Sequence, residues 1–184
     1  AGRQGLPGAA EALRRLADNP VIPPIVRATA FSLLERNFTP EALFVVRRAL
    51  TDPDPLVRAA AVSTLGLVQT EARSELAVPL LTDPVRAVRL EAARVLAGVP
   101  LDRLSDGQRV TLTRTLEEYR VSQLTNADRA ETHLNLGVLA VQLGRYDDAE
   151  GAYRTALRID SGFVAAHLNL ADLYRQQGRE AEGE

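Results

Sequence analysis

Cysteine is absent from the 184 residues, which excludes disulfides, thiolate metal sites and covalent haem attachment through a Cys-x-x-Cys-His motif. Methionine is also absent, even at residue 1, so the chain reads as an internal or processed piece of a longer product with no signal segment to mark its origin. Tryptophan is missing and aromatics make up only 4% of the residues. All 22 basic residues are arginine, a compositional habit on which no site is built. Charge of one sign is scarce too: the net charge is −2, and acids and bases interleave along the chain, so there is no phosphate-backbone footprint. The longest uninterrupted apolar runs, such as residues 76–81 around Pro79, are far too short to cross a bilayer.

What is present is Ala and Leu, within an apolar fraction of 46% that is ample for a core. Small residues at regular spacing predict closely packed helices. Sliding the sequence against itself brings Val26-Arg27, Val57-Arg58 and Val88-Arg89 into register, a period of 31. The same shift aligns Ala30, Ala61 and Ala92, then Leu34, Leu65 and Leu96, so three helices are expected to repeat one apolar face. Amphipathic stretches at 8–18, 40–51 and 71–82 precede them, which makes each unit a helical hairpin. Thr39-Pro40, Asp54-Pro55 and Asp83-Pro84 each offer an N-cap oxygen before a proline at the first helical position, and Gly98 with Pro100 closes the third unit.

The pattern Leu-x-Asp-Pro-x-x-x-Val-Arg-x-x-Ala runs from Leu50 through Asp52, Arg58 and Ala61, and again from Leu81 through Asp83, Arg89 and Ala92. It resembles HEAT repeats. The resemblance implies that Asp52, Arg58, Asp83 and Arg89 form a ladder between neighbouring repeats. The first unit departs from the pattern, with Arg27 present and Val21 in the place of the aspartate.

Downstream the period changes to 34: His133-Leu134-Asn135-Leu136 recurs as His167-Leu168-Asn169-Leu170, and Gly144-Arg145 as Gly178-Arg179. With Leu136-Gly137, Ala149 and Tyr153 this looks like a tetratricopeptide repeat over 130–163, followed by a second from Val164 whose second helix is missing or truncated. His133 and His167 stand for the family's tryptophan, Ala140 for a tyrosine and Ser161 for the closing proline. Between the two sets, residues 105–124 open on a Ser105-x-x-Gln108 capping box and carry Leu112, Leu116, Tyr119 and Leu124. Tyr119 lies one such period before Tyr153, so this segment reads as the second helix of a degenerate repeat that bridges the two arrays. The expected fold is all-α, a right-handed α-solenoid, with HEAT-like repeats over 1–100, a bridging helix over 101–129 and tetratricopeptide repeats over 130–184.

No catalytic constellation emerges. Equivalent positions in successive hairpins are about 8–10 Å apart or more, too far for His133 and His167 to share one zinc ion, whose ligands each lie about 2 Å from it. A packing role is the expectation for both. The Asp52-Pro53-Asp54-Pro55 turn lacks the glycine and glutamate of a calcium loop, and capping accounts for its acids. Arg14-Arg15 and Arg47-Arg48 read as solvated helix faces, because acids are interspersed with them. There is no phosphate-binding glycine loop, nucleophile elbow or His-Glu-x-x-His run. A non-enzymatic protein that binds other proteins is the expectation.

The tetratricopeptide resemblance implies a concave groove lined by first helices, with Asn135, Val138 and Gln142, then Asn169, Asp172 and Gln176, facing a peptide. An asparagine amide can both donate to and accept from a peptide backbone, although Asn there can equally bridge helices. The order of parts, opening on Leu6-Pro7-Gly8-Ala9-Ala10-Glu11-Ala12-Leu13 and the helix around Ile25-Val26-Arg27, is similar to the carboxy-terminal half of exported multihaem c-type cytochromes. That resemblance implies a docking module outside the cytoplasm, with haem carried by an upstream region or a partner and none attached here. The expected partner is a protein or peptide, a cytochrome, or a second copy joined through an uncovered face bearing Leu168, Leu170 and Leu173, with no nucleic acid and no membrane insertion.

Overall fold

The computed structural model describes residues 8–179. Leu6 and Pro7 of the opening motif, and the part of the second tetratricopeptide repeat beyond Arg179, lie outside the described residues. Among those residues there are ten α-helices and no strand: α1 Ala9–Asp18, α2 Pro24–Leu34, α3 Ala42–Ala49, α4 Pro55–Thr64, α5 Thr70–Ala77, α6 Arg86–Leu96, α7 Asp106–Leu124, α8 Ala130–Gln142, α9 Tyr146–Ile159 and α10 Val164–Gln176. None of them is long and apolar enough to cross a membrane. The chain divides into two compact units between Thr115 and Leu116, a point inside α7. The capping box before α7 is formed: Gln108 N–H donates to Ser105 Oγ at 3.3 Å, and Ser105 N–H donates to Gln108 Oε1 at 2.9 Å.

In the first unit α1/α2, α3/α4 and α5/α6 form hairpins, and α2, α4 and α6 pack side by side. Ala30, Ala61 and Ala92 are buried at these contacts, as are Leu34, Leu65 and Leu96. Small side chains let the helices approach, and each leucine fills the space that remains; truncating one to alanine would cost about 2–5 kcal/mol. The valines break the expected equivalence. Val57 and Val88 are fully buried, but Val26 is 42% exposed. Among the described residues α4 and α6 each pack on a preceding second helix and α2 does not, and Val26 and Ile25 line an open apolar hollow with Leu13, Leu16 and Leu33.

Three local expectations need correction. The helix expected over 71–82 ends as α-helix at Ala77 and continues as a 3-10 turn, because Pro79 brings no N–H and crowds the preceding carbonyls. Thr39 does not cap α3, which begins at Ala42; its hydroxyl oxygen instead accepts from Arg14 at 3.4 Å. Asp54 does cap α4, accepting from Leu56 N–H at 2.8 Å with Pro55 at the first position. Asp83 accepts from Val85 N–H at 2.8 Å, one step before α6 starts at Arg86, so Pro84 precedes the helix rather than opening it.

Asp52 and Asp83 are placed to meet arginines of the preceding repeat. Arg27 Nη2 pairs with Asp52 at 2.6 Å, and Arg58 forks onto both oxygens of Asp83 at 2.8 and 3.0 Å. Arg58 Nη1 also donates to the Asp52 carbonyl, and Arg89 Nη1 to the Asp83 carbonyl, so each guanidinium ties its own turn as well. Lacking an aspartate at 21, Arg27 turns its Nε to the Ala17 carbonyl at the end of α1. The Arg58 and Asp83 side chains are 12% and 5% exposed. Burial pushes the Asp83 carboxyl up; the hydrogen bonds from Arg58 and the Val85 N–H, with the charges of Arg58 and Arg89, outweigh this and hold it below the usual range.

In the second unit α8 and α9 form a hairpin and α10 packs on α9. Both α8 and α10 end in the same way: Gly144 and Gly178 adopt φ of 70° and 69°, and the next residue's N–H, of Arg145 or Arg179, reaches back 2.9 Å to the carbonyl of Ala140 or Tyr174. Gly137 is required for another reason. A Cβ there would fall inside the van der Waals surface of the Tyr153 ring, so the bare backbone lets α9 approach α8. The expected uncovered face is mostly covered. Leu173 is buried against Ala140, Ala149 and Tyr153, and Leu170 packs beside them, which leaves Leu168 at 61% exposure.

Three outcomes are expected. Asp83→Ala, which strands a buried guanidinium, should lower unfolding free energy by about 3 kcal/mol in urea titrations. Because the Asp83 pKa is lower folded than unfolded, its contribution is complete above about pH 3.9 and is lost as pH falls through the folded value. Asp83→Asn should accordingly flatten the acid limb of a stability–pH curve. Gly137→Ala should destabilise by about 1–3 kcal/mol, through the displaced Tyr153 ring, in thermal melts followed by circular dichroism.

Candidate functional site

Helix periodicity decides which side chains of α8 and α10 can converge. Positions 138, 141 and 142 share one face of α8, and 169, 172, 173 and 176 share one face of α10. The two faces meet across a concavity of about 190 Å³ lined by Val138, Val141, Gln142, Asn169, Asp172 and Gln176, with Tyr153 and Leu173 at its floor. Five of the six residues expected in a peptide groove therefore come together. Asn135 does not; its amide donates to Gln123 Oε1 of α7 at 3.0 Å, the helix-bridging alternative.

Val141, Tyr153 and Leu173 line the concavity without having been singled out for it. The signal for the first and last was present in the spacing, since each lies three or four residues from a groove residue on the same helix. Tyr153 comes from α9, and only the close approach at Gly137 brings it there. Its hydroxyl is hydrogen-bonded to Asn169, and burial lifts its phenol above the usual value against that bond. The bond anchors the Asn169 amide at the groove edge.

Chemically the groove is a strip of neutral amides over an apolar floor. Gln142, Asn169 and Gln176 offer both donors and acceptors, which suits an extended backbone. Asp172 is the charged residue of the lining, and it is exposed and paired with Arg175 at 2.9 Å. No arginine is among the lining residues, and the carboxylate there is shared with Arg175.

The histidines stand elsewhere. His133 Nε2 lies 2.9 Å from the Ala127 carbonyl, and His167 Nε2 lies 2.9 Å from the Ser161 carbonyl, so each imidazole ties the start of its helix to the loop six residues earlier. Among the described residues no group of three or more His, Asp or Glu side chains is arranged to hold a metal ion. The chain has no thiol to bond a c-type haem covalently, and the Nε2 atom of each histidine lies within hydrogen-bond distance of a backbone carbonyl. Asp52 and Asp54 each accept a backbone N–H in their turn, the geometry of capping.

Stacked helical hairpins in both units define a helical-repeat protein of the α-solenoid class. The HEAT repeat family matches residues 22–97, and the tetratricopeptide repeat family matches residues 140–184. No curated protein matches the chain. Repeats of both kinds typically mediate protein–protein interaction and are typically non-catalytic, which supports a protein-interaction scaffold.

Proposed function

We propose that the second unit binds an extended peptide segment of a partner protein along the α8/α10 groove, while the first unit serves as a rigid docking body. The observation that carries this reading is the convergence of Val138, Gln142, Asn169, Asp172 and Gln176 on one concavity, with Asn169 held by Tyr153. Asp172 and the neutral amides favour a segment that is neutral or basic. Main-chain hydrogen bonds to the amides would supply affinity, and the apolar floor would supply a place for one side chain. A cytochrome as the docked partner is the finer form of the proposal; in it the chain contributes surface, with no cofactor of its own and no haem ligand. The two imidazoles, each bonded to a carbonyl, support that restriction.

Selection of peptides from a random display library against the full chain tests the proposal. Neutral or basic peptides should be recovered, and Gln142→Ala with Asn169→Ala should weaken them by about tenfold or more while the thermal melt shifts little. Recovery of no peptide, or binding indifferent to both substitutions, would overturn it.

A further inference from the structure

The last repeat contains a cluster that the repeat before it has lost in part. Glu150, whose side chain is 14% exposed, pairs with Arg154 at 2.8 Å and with Arg179 at 2.9 Å. The Tyr174 hydroxyl donates to Glu150 at 3.1 Å and accepts from Arg154 at 3.0 Å. The Arg179 guanidinium lies over the Tyr174 ring, 4.9 Å from its centre, within cation–π range. One carboxylate and one aromatic ring thus sit between two arginines.

One repeat period earlier, the same four places hold Leu116, Arg120, Ala140 and Arg145. Both arginines are kept, whereas the carboxylate and the ring are gone. A hollow of about 340 Å³ opens there, with Arg120, Ala140 and Arg145 in its wall. Its remaining surface is mainly apolar, from Leu124, Leu136, Leu139 and Leu143. Arg120 is shared with Glu117 in an exposed pair at 2.7 Å, and Asp148 stands at the wall, so the two arginines leave the lining itself one positive charge in excess. The size is at the small end of the roughly 300–1,000 Å³ typical of ligand pockets. It suits one aromatic side chain better than a large cofactor.

We propose that this hollow is a second binding site, which takes an aromatic side chain adjacent to a carboxylate in an acidic peptide segment of a partner. The peptide would restore in trans the ring and acid that Tyr174 and Glu150 supply in the next repeat. Its ring would enter beside Ala140 among the leucines, and its carboxylate would meet Arg145 and Arg120. This site is distinct from the groove, because residues 136, 139 and 143 lie on a different face of α8 from residues 138, 141 and 142. The two sites also prefer opposite charge.

The test uses the full chain and a capped hexapeptide, acetyl-Gly-Ser-Glu-Tyr-Ser-Gly-amide, followed by methyl NMR and fluorescence anisotropy. The peptide should shift the methyls of Leu136, Leu139, Leu143 and Ala152, and its Tyr-to-Ala and Glu-to-Arg versions should not. Ala140→Tyr, which fills the hollow as Tyr174 fills the next, should abolish binding and leave the melting temperature unchanged or raised. Arg145→Ala, at an exposed side chain, should weaken binding by about tenfold or more without loss of fold, and it decides the matter even if the filled variant does not fold. Gln142→Ala and Asn169→Ala should leave this binding intact, so failure here is separable from failure of the groove. No shift at millimolar peptide, equal binding of the Tyr-to-Ala peptide, or loss of binding only in the groove variants would overturn the proposal.

Discussion

A hairpin of two short helices exposes more apolar surface than its own two faces can cover, and every other feature of this chain follows from the need to lay one hairpin on the next. In the first unit that need explains why Ala30, Ala61 and Ala92 recur at buried contacts and why Leu34, Leu65 and Leu96 are buried completely. It also bears on Val26, whose counterparts Val57 and Val88 are fully buried: among the described residues α2 has no preceding second helix against it.

The two units meet this constraint by different means. Between repeats of the first, arginines reach forward to aspartates 25 residues on, and the desolvation cost of a largely buried pair is offset by the forked geometry and by extra bonds to backbone. Such a pair also specifies register, because a guanidinium displaced by one helical turn would lose both carboxylate oxygens at once. In the second unit close approach works beside charge, since Glu150 of α9 pairs with Arg179 beyond α10. Gly137 leaves room for the Tyr153 ring, and Ala149 and Ala156 disappear into the contacts between helices. Both halves thus combine ion pairs between repeats with small residues at the helix contacts, in different proportion.

Internal repetition does more than stabilise. A repeat that drops a residue leaves behind a space whose shape and charge are recorded in its neighbour. Ala140 and Leu116 stand where Tyr174 and Glu150 complete a cluster, while Arg120 and Arg145 remain. The groove follows another rule, with successive helices presenting similar polar residues, and Asn169 is oriented by a tyrosine from the intervening helix.

Periodicity in the sequence sufficed to read helices, hairpins and the lengthening of the repeat after the first unit, because amphipathic spacing and repeated turn residues are local properties of the chain. The caps at Asp54 and Ser105 were legible in this way, and five of the six positions that the tetratricopeptide resemblance implies line one concavity. Tertiary structure alone decided that Asn135 bonds to Gln123 rather than facing the groove, that Leu173 is covered while Leu168 is not, and that Tyr153 forms part of the floor. It also decided that Pro79 converts the end of α5 to a 3-10 turn. Each of these depends on which neighbour arrives at a given face and how closely, and that distance is set by side chains remote in sequence rather than by the pattern of any single helix.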